Sequence, residues 1–264
     1  MKPGKRPGNS TLGTGDTGMS RDEQQLRFYA TAPRPCTYLP DRSAVSVFAD
    51  PEATLSSEIY QQLAPLGFRR SGSDLYLPAC AACRQCIPVR VAVQAFRRSR
   101  SQQRVWRRNR DVSCTPLDAV YRQDHFELYS RYLSHRHAGG GMENPTPEDY
   151  LNFLAGGWSD TRFLEFRTGD VLLGVAVTDC LTDALSAVYT FFDPDFEARS
   201  PGTLAVLTQI EMARQSGLDW LYLGYWIPGS RKMAYKNRFR PLQVFRSGHW
   251  RKFDPSLDYT ATTG

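Results

Sequence analysis

The stretch Arg162–Phe192, RFLEFRTGDVLLGVAVTDCLTDALSAVYTFF, falls into three apolar runs divided by Gly169-Asp170 and Thr182-Asp183. Each run is rich in β-branched and aromatic residues and each divider is a turn signal, so the stretch predicts three strands in an antiparallel meander. Just upstream, Thr146-Pro147-Glu148-Asp149 sets a capping hydroxyl, a first-turn proline and two acids in the order that opens a helix, which runs through Leu154. Before that, from Asp118, Val120, Phe126, Tyr129 and Leu133 recur near the helical period until the glycines Gly139–Gly141. Downstream, Thr203 to about Gln215 reads as a helix, Asp219–Ile227 (DWLYLGYWI) as a strand, and the rest as a Lys/Arg-rich terminal segment. The pattern predicts an α/β protein of the α+β kind, with mixed, mainly antiparallel sheets.

Toward the N-terminus, three prolines after Leu26 and alternation over Ala44–Phe48 predict a loop and then a short strand. Ser56 opens a helix with Ile59, Leu63 and Leu66 on one face and Gly67 as its stop. Val89, Val91 and Val93 alternate on one side of a strand that leaves a cysteine cluster. These elements predict two lobes: a cysteine-containing lobe with a basic segment over 21–115 and a second lobe over 116–253, flanked by tails at 1–20 and 254–264. The first tail is Gly, Ser, Thr and Lys without an apolar core, so it reads as disordered and not as a signal peptide. No apolar run approaches the roughly 18 residues that span a bilayer. The expectation is a soluble, cytoplasmic protein with no membrane partner.

Net charge is +6, carried by 28 arginines against 5 lysines among 264 residues. Between Arg90 and Arg110 there are eight arginines and no acid. Arg97, Arg100, Arg104 and Arg107 recur at helical spacing, with Arg108 beside them and Trp106 interrupting the run. Like charges repel unless a polyanion compensates them, and a tRNA acceptor stem would do so while its unpaired end stacks on Trp106. Cys80, Cys83 and Cys86 stand at C-x2-C-x2-C spacing, and Cys36 can supply a fourth thiolate from a distant loop. Zinc, an iron–sulfur cluster, or reduced structural thiols all remain open for this set. Cys114 and Cys180 stand alone and read as packing residues.

The order helix, helix, three antiparallel strands, helix, strand is that of the acetyltransferase-like (GNAT) fold, whose sheet splays where an acyl donor lies. Such enzymes hold coenzyme A with a Q/R-x-x-G-x-G/A loop at a helix N-terminus. Here the comparable stretch is Arg199-Ser200-Pro201-Gly202-Thr203-Leu204, and Leu204 in place of a small residue argues against coenzyme A. The segments PCTYLP, LYLPACAACRQCIPVRV, RHAGGGME, ALSAVYTFFDP and GTLAVLTQIEMARQSGLDWLYLGYWIPGSRKMAYKNRFRP resemble the aminoacyl-tRNA–protein transferases, most closely the aspartate/glutamate leucyltransferase branch, over about residues 26 to 253.

The resemblance implies two lobes with GNAT-like parts and transfer of leucine from Leu-tRNA to proteins with N-terminal Asp or Glu, marking them for the N-degron route. Longer relatives transfer arginine, and some hold an iron–sulfur cluster, which would fall here on Cys36, Cys80, Cys83 and Cys86. The transfer itself requires no cofactor, because an aminoacyl ester is already reactive toward amines. A proton acceptor is expected among Asp179, Tyr189 and Asp193, on or at the ends of the meander strands. Arg231, Lys232, Lys236 and Arg238 are candidates to pair the acceptor's carboxylate or the RNA backbone, and Tyr222, Tyr225 and Trp226 to line an apolar slot for leucine. An arginyl donor would instead need a carboxylate such as Asp193 or Glu211. A rival reading is a non-catalytic RNA-binding metalloprotein, which product formation would exclude.

Overall fold

The structure, a computed structural model, describes residues 26–136 and 144–259. Its first part contains β1 (Phe28–Ala30), β2 (Arg34–Pro35), β3 (Ser43–Ala44), β4 (Ser46–Ala49), α1 (Ser57–Leu63), β5 (Arg69–Ser71) and β6 (Asp74–Pro78). Next come β7 (Ile87–Ala92), α2 (Arg100–Arg108), β8 (Ser113–Asp118), α3 (Gln123–Arg136) and α4 (Pro147–Leu154). The meander is β9 (Thr161–Thr168), β10 (Val171–Cys180) and β11 (Ala184–Phe192), followed by α5 (Pro201–Gln215) and β12 (Trp220–Trp226). A hairpin of β13 (Leu242–Arg246) and β14 (His249–Lys252) and a final turn of helix, α6 (Pro255–Asp258), complete the described chain.

The helix starts follow their capping signals. Thr146 and Asp149 bond reciprocally at the head of α4, and Ser99 and Gln102 do the same at the head of α2, which gives the arginine run a fixed helical phase. At α1 the expected cap, Ser56, and the expected stop, Gly67 at φ +98, are both present. Its buried face differs from the expected one: Tyr60 and Ala64 point inward and Leu66 is exposed. The chain tightens into a 3-10 turn over Ala64–Leu66, and the larger rotation per residue swings Leu66 off the core side.

The main sheet has eight strands in the order β14-β13-β7-β12-β11-β10-β9-β8, antiparallel throughout except between β11 and β12. It is the expected mixed, mainly antiparallel α/β arrangement. Along β10, Val175 and Val177 face α3 and α4 while Ala176 between them faces α5, so helices cover both sides. A smaller sheet, β1-β4-β6-β5, and a two-stranded ribbon, β2-β3, hold the strands before β7. The described part of the segment 21–115 is thus divided among three sheets: β7 lies between β12 and β13 with Val89 and Val91 fully buried, and the boundary at 115 falls inside β8. The stretch 254–264 also contributes structure, because the buried Asp258 of α6 is gripped by Arg251 through two hydrogen bonds. The tail at 1–20 and the glycines 139–141 lie outside the described residues.

One feature of the sheet positions the chemistry. The parallel partners β11 and β12 pair only over Ala184–Ser186 and Trp220–Tyr222, although β11 continues to Phe192 and β12 to Trp226. Beyond Ser186 and Tyr222 the two strands have no mutual ladder, which opens the sheet between them.

Candidate functional site

The three residues expected to handle a proton occupy different environments. Asp179 is fully buried, and both its oxygens are engaged: Arg70 Nε and Nη2 each donate at 2.7 Å, and the Thr161 hydroxyl donates at 2.7 Å. A carboxylate so held is a structural anchor, with both oxygens taken up inside the fold. Asp193 caps the 3-10 turn over Pro194–Arg199, accepting from the Asp195 N–H at 3.1 Å, and its second oxygen takes Arg131 Nη2 at 2.6 Å. Tyr189 stands on the half of β11 that β12 does not pair, half-buried against the rings of Tyr129, Tyr132 and Phe153. Burial, with the neighbouring Tyr132 and Tyr129, holds its phenol above the ordinary value. A phenol so shifted keeps its proton at neutral pH.

The expected cations also divide. Arg100, Arg104 and Arg107 are exposed on α2 and make no ion pair among the described residues, while Arg97 just before the helix donates only to backbone carbonyls. Arg108 donates to the Ala198 carbonyl, which ties the helix end to the turn before α5. Trp106 is half-buried against the core, and Arg98 lies 3.9 Å from its ring centre while pairing with Glu211 at 3.0 Å. The ring is covered, so it is not the stacking platform expected of it. Arg231, Lys232 and Arg238 are exposed, again without an ion pair among the described residues, whereas Lys236 is buried. The proposed leucine slot is filled: Tyr222 and Trp226 are fully buried, and the Tyr225 hydroxyl donates to the carbonyls of Gly67 and Tyr76.

The cysteines do converge. Cys36, Cys80, Cys83 and Cys86 line a single cavity of about 360 Å³, walled by Tyr38, Tyr76 and Tyr225 and with Arg34 and Arg42 also on its lining. All four are half-buried, and burial together with the three neighbouring thiols pushes the Cys86 thiol up to about 12. Among the described residues, the one metal-capable group whose ligand atoms lie within 4.8 Å of one another is Asp124, His125 and Glu165. Arg167 already supplies a cation there, pairing with Asp124 and with Glu165. By ligand type the four soft donors around one cavity suit a tetrathiolate centre, and no three of their sulfurs lie within 4.8 Å of one another in this arrangement. The thiols would draw closer around a single zinc ion, with bonds of about 2.3 Å, than around an iron–sulfur cluster.

Residues 34–104 match the N-terminal region of the arginine-tRNA-protein transferases, and residues 124–246 match their C-terminal region. The chain belongs to the arginine-tRNA-protein transferase family. The transferase is 50% identical to an aspartate/glutamate leucyltransferase from Nitrosococcus oceani over 224 residues, 84% of this chain and 94% of the relative. Relatives of the same name from Hahella chejuensis and Saccharophagus degradans are 49% and 45% identical, covering 85% and 88% of this chain and 96% and 99% of theirs. Among solved structures, L-PGS from Bacillus licheniformis aligns at 10% identity and a TM-score of 0.42, over 78% of this chain and 68% of that one, a likeness too slight to bear on function.

Two residues of the transferase that reading the sequence missed are Arg69 and Arg70. Neither sits in a motif, and both carry buried charge. The pattern RRS, which is the whole of a three-residue strand, looks like surface, and only tertiary structure shows otherwise.

Proposed function

We propose that the transferase moves leucine from Leu-tRNA onto proteins that begin with Asp or Glu, in the cytoplasm, and that the product enters the N-degron route. The observation that carries this reading is the exposed arginine face of α2, a run of positive charge without an ion pair among the described residues, on a helix that packs on α5. Arg100, Arg104 and Arg107 lie at positions that follow one side of a helix, suited to a ribose-phosphate backbone. The names of the relatives at 45–50% identity supply the leucyl donor and the acidic acceptor. Two details of the chain agree with an uncharged donor. Glu211 pairs with Arg98 and Arg214, and Asp193 with Arg131, so neither carboxylate is free for an arginyl side chain.

The reaction is an aminolysis. The acceptor's α-amine, whose ordinary pKa is about 7.7–8.0, must be neutral to attack the ester carbonyl. A nitrogen–carbon bond forms, the bond to the 3′-oxygen of the tRNA breaks, and that oxygen takes up the proton the amine gives up. In this reading the Tyr189 phenol, protonated and in the opened part of the sheet, donates to the developing oxyanion. Arg231, Lys232 and Arg238 meet the acceptor's carboxylate or the RNA. No step uses coenzyme A. Leu204 packs into the core under β10, so its side chain does not crowd the helix entrance as expected; the entrance instead begins with Pro201, which has no N–H to offer a pyrophosphate. A zinc ion or iron–sulfur cluster on the four cysteines would brace the loops around Val45 and Tyr38 and takes no part in the transfer.

The test is incubation of the purified chain with labelled Leu-tRNA or Arg-tRNA and peptides that begin with Asp, Glu, Lys or Ala. Leucine should appear on the Asp and Glu peptides alone. Efficient arginine transfer without leucine transfer would remove the donor assignment, and no transfer from any tRNA would remove the reading.

A further inference from the structure

Arg69 and Lys236 carry charge into the interior with no carboxylate among the described residues to meet it. Arg69 is 4% exposed and Lys236 9%. Arg69 Nη1 donates to the carbonyls of Ala64 at 2.9 Å and Phe68 at 2.5 Å, while Nε and Nη2 have no hydrogen-bond partner among the described residues. Its guanidinium lies over the rings of Tyr222 and Tyr225, at 4.7 and 6.0 Å from their centres. Lys236 Nζ donates to the Tyr225 carbonyl at 2.9 Å, and neither cation forms an ion pair among the described residues. Ring faces and carbonyls offset part of the burial, but a charge taken out of water without a counter-ion is strongly unfavourable. The arrangement calls for an anion that the chain's own carboxylates do not provide.

Tyr225 connects both cations to the cysteine cavity. Its ring faces Arg69, its carbonyl holds Lys236, and it walls the cavity that Cys36, Cys80, Cys83 and Cys86 line. Gly224 beside it, at φ +76, leaves the Lys236 amine close to the β12 backbone, 3.4 Å from where a Cβ would stand.

We infer that Arg69 and Lys236 are the built-in counter-charges of a tetrathiolate metal centre at Cys36, Cys80, Cys83 and Cys86. Four thiolates around a dication leave two negative charges in a half-buried cavity, and two cations stand behind the Tyr225 wall to balance them. They touch no reacting atom, and their role is to balance the charge of the loaded centre and so to hold the metal. The inference rests on the cysteines as a metal site and is independent of which amino acid the transferase carries.

The experiment uses the full chain purified anaerobically, stripped of metal and titrated with zinc alone against a chromogenic chelator. Parent, Lys236→Met, Lys236→Arg, Arg69→Met and Arg231→Met are compared, with thermal melting to confirm that each is folded. Lys236→Met and Arg69→Met should each hold zinc about 10–100-fold more weakly than the parent, the range expected for groups just outside the ligands. Lys236→Arg, which keeps the charge, should recover most of the affinity, and Arg231→Met should match the parent. Parental zinc affinity in both Met variants would overturn the inference, as would a Lys236→Arg variant no better than Lys236→Met. A parent chain that holds no zinc overturns it too. Neither tRNA nor acceptor enters the measurement, so its outcome is separate from that of the transfer assay.

Discussion

Arg69 and Arg70 are neighbours on β5, each 4% exposed, and alternation along the strand sends them to opposite faces. Arg70 has every need met: a two-pronged pair with Asp179, and carbonyls of Gly72 and Leu154 at 2.9 and 3.0 Å. Arg69 is left with two bare nitrogens and aromatic rings. The same residue type at the same burial thus does two jobs. On one face the charge is closed into the fold and fastens β5 to β10; on the other it lies against the rings of Tyr222 and Tyr225 without a carboxylate among the described residues.

The largest effect expected from this contrast comes from breaking the closed side. Arg70→Met leaves the Asp179 carboxylate buried without its cation and should lower the unfolding free energy in urea by about 3–5 kcal/mol. On the other face, Arg69→Met removes a charge that had no partner, so in the metal-free chain the same titration should move by no more than about 1 kcal/mol. Equal losses from the two substitutions would erase the distinction between them.

Exposed unpaired cations provide a third case. Changing Arg100, Arg104 and Arg107 together to Glu should leave folding intact and weaken tRNA binding most at low salt, with the slope of log affinity against log salt flattened by about three. Unchanged affinity at low salt would detach α2 from the RNA.

The smallest effect is in the pH dependence of the metal-free chain. Burial and Arg69 lower the Lys236 amine from 10.5 to about 7. Between these values the unfolded chain holds the proton that the folded chain has released, so Lys236 makes stability rise with pH there, and its destabilising effect is complete below about 7. Urea titrations should show Lys236→Met more stable than the parent at pH 6, with the difference shrinking toward pH 10. A difference that is flat with pH would show that Lys236 is not buried as a cation.

Much of this was legible from the residues. Turn pairs and apolar runs defined the meander, Thr146 and Ser56 defined helix starts, and the cysteine spacing marked the cavity. The arginine spacing was readable as a helix, but Trp106 was not readable as core, because its cover, Arg98, and the partner of that cover, Glu211, come from different elements. Asp179 and Asp193 looked like candidate bases for the same reason: strand-end carboxylates are chemically eligible, and only tertiary structure reveals that Arg70 and Arg131 already hold them. The central place of β7 was hidden because an antiparallel neighbour 130 or so residues away leaves no local mark; β7 pairs with β12 and β13, both far along the chain.

The most direct measurement is sequencing by mass spectrometry of an acceptor protein that begins with Glu, after incubation with the purified transferase and Leu-tRNA. The account predicts one leucine joined through a peptide bond to the α-amine of that Glu, and none on the same protein beginning with Lys. Leucine recovered only as the free amino acid, with the acceptor's N-terminus unchanged, would contradict it.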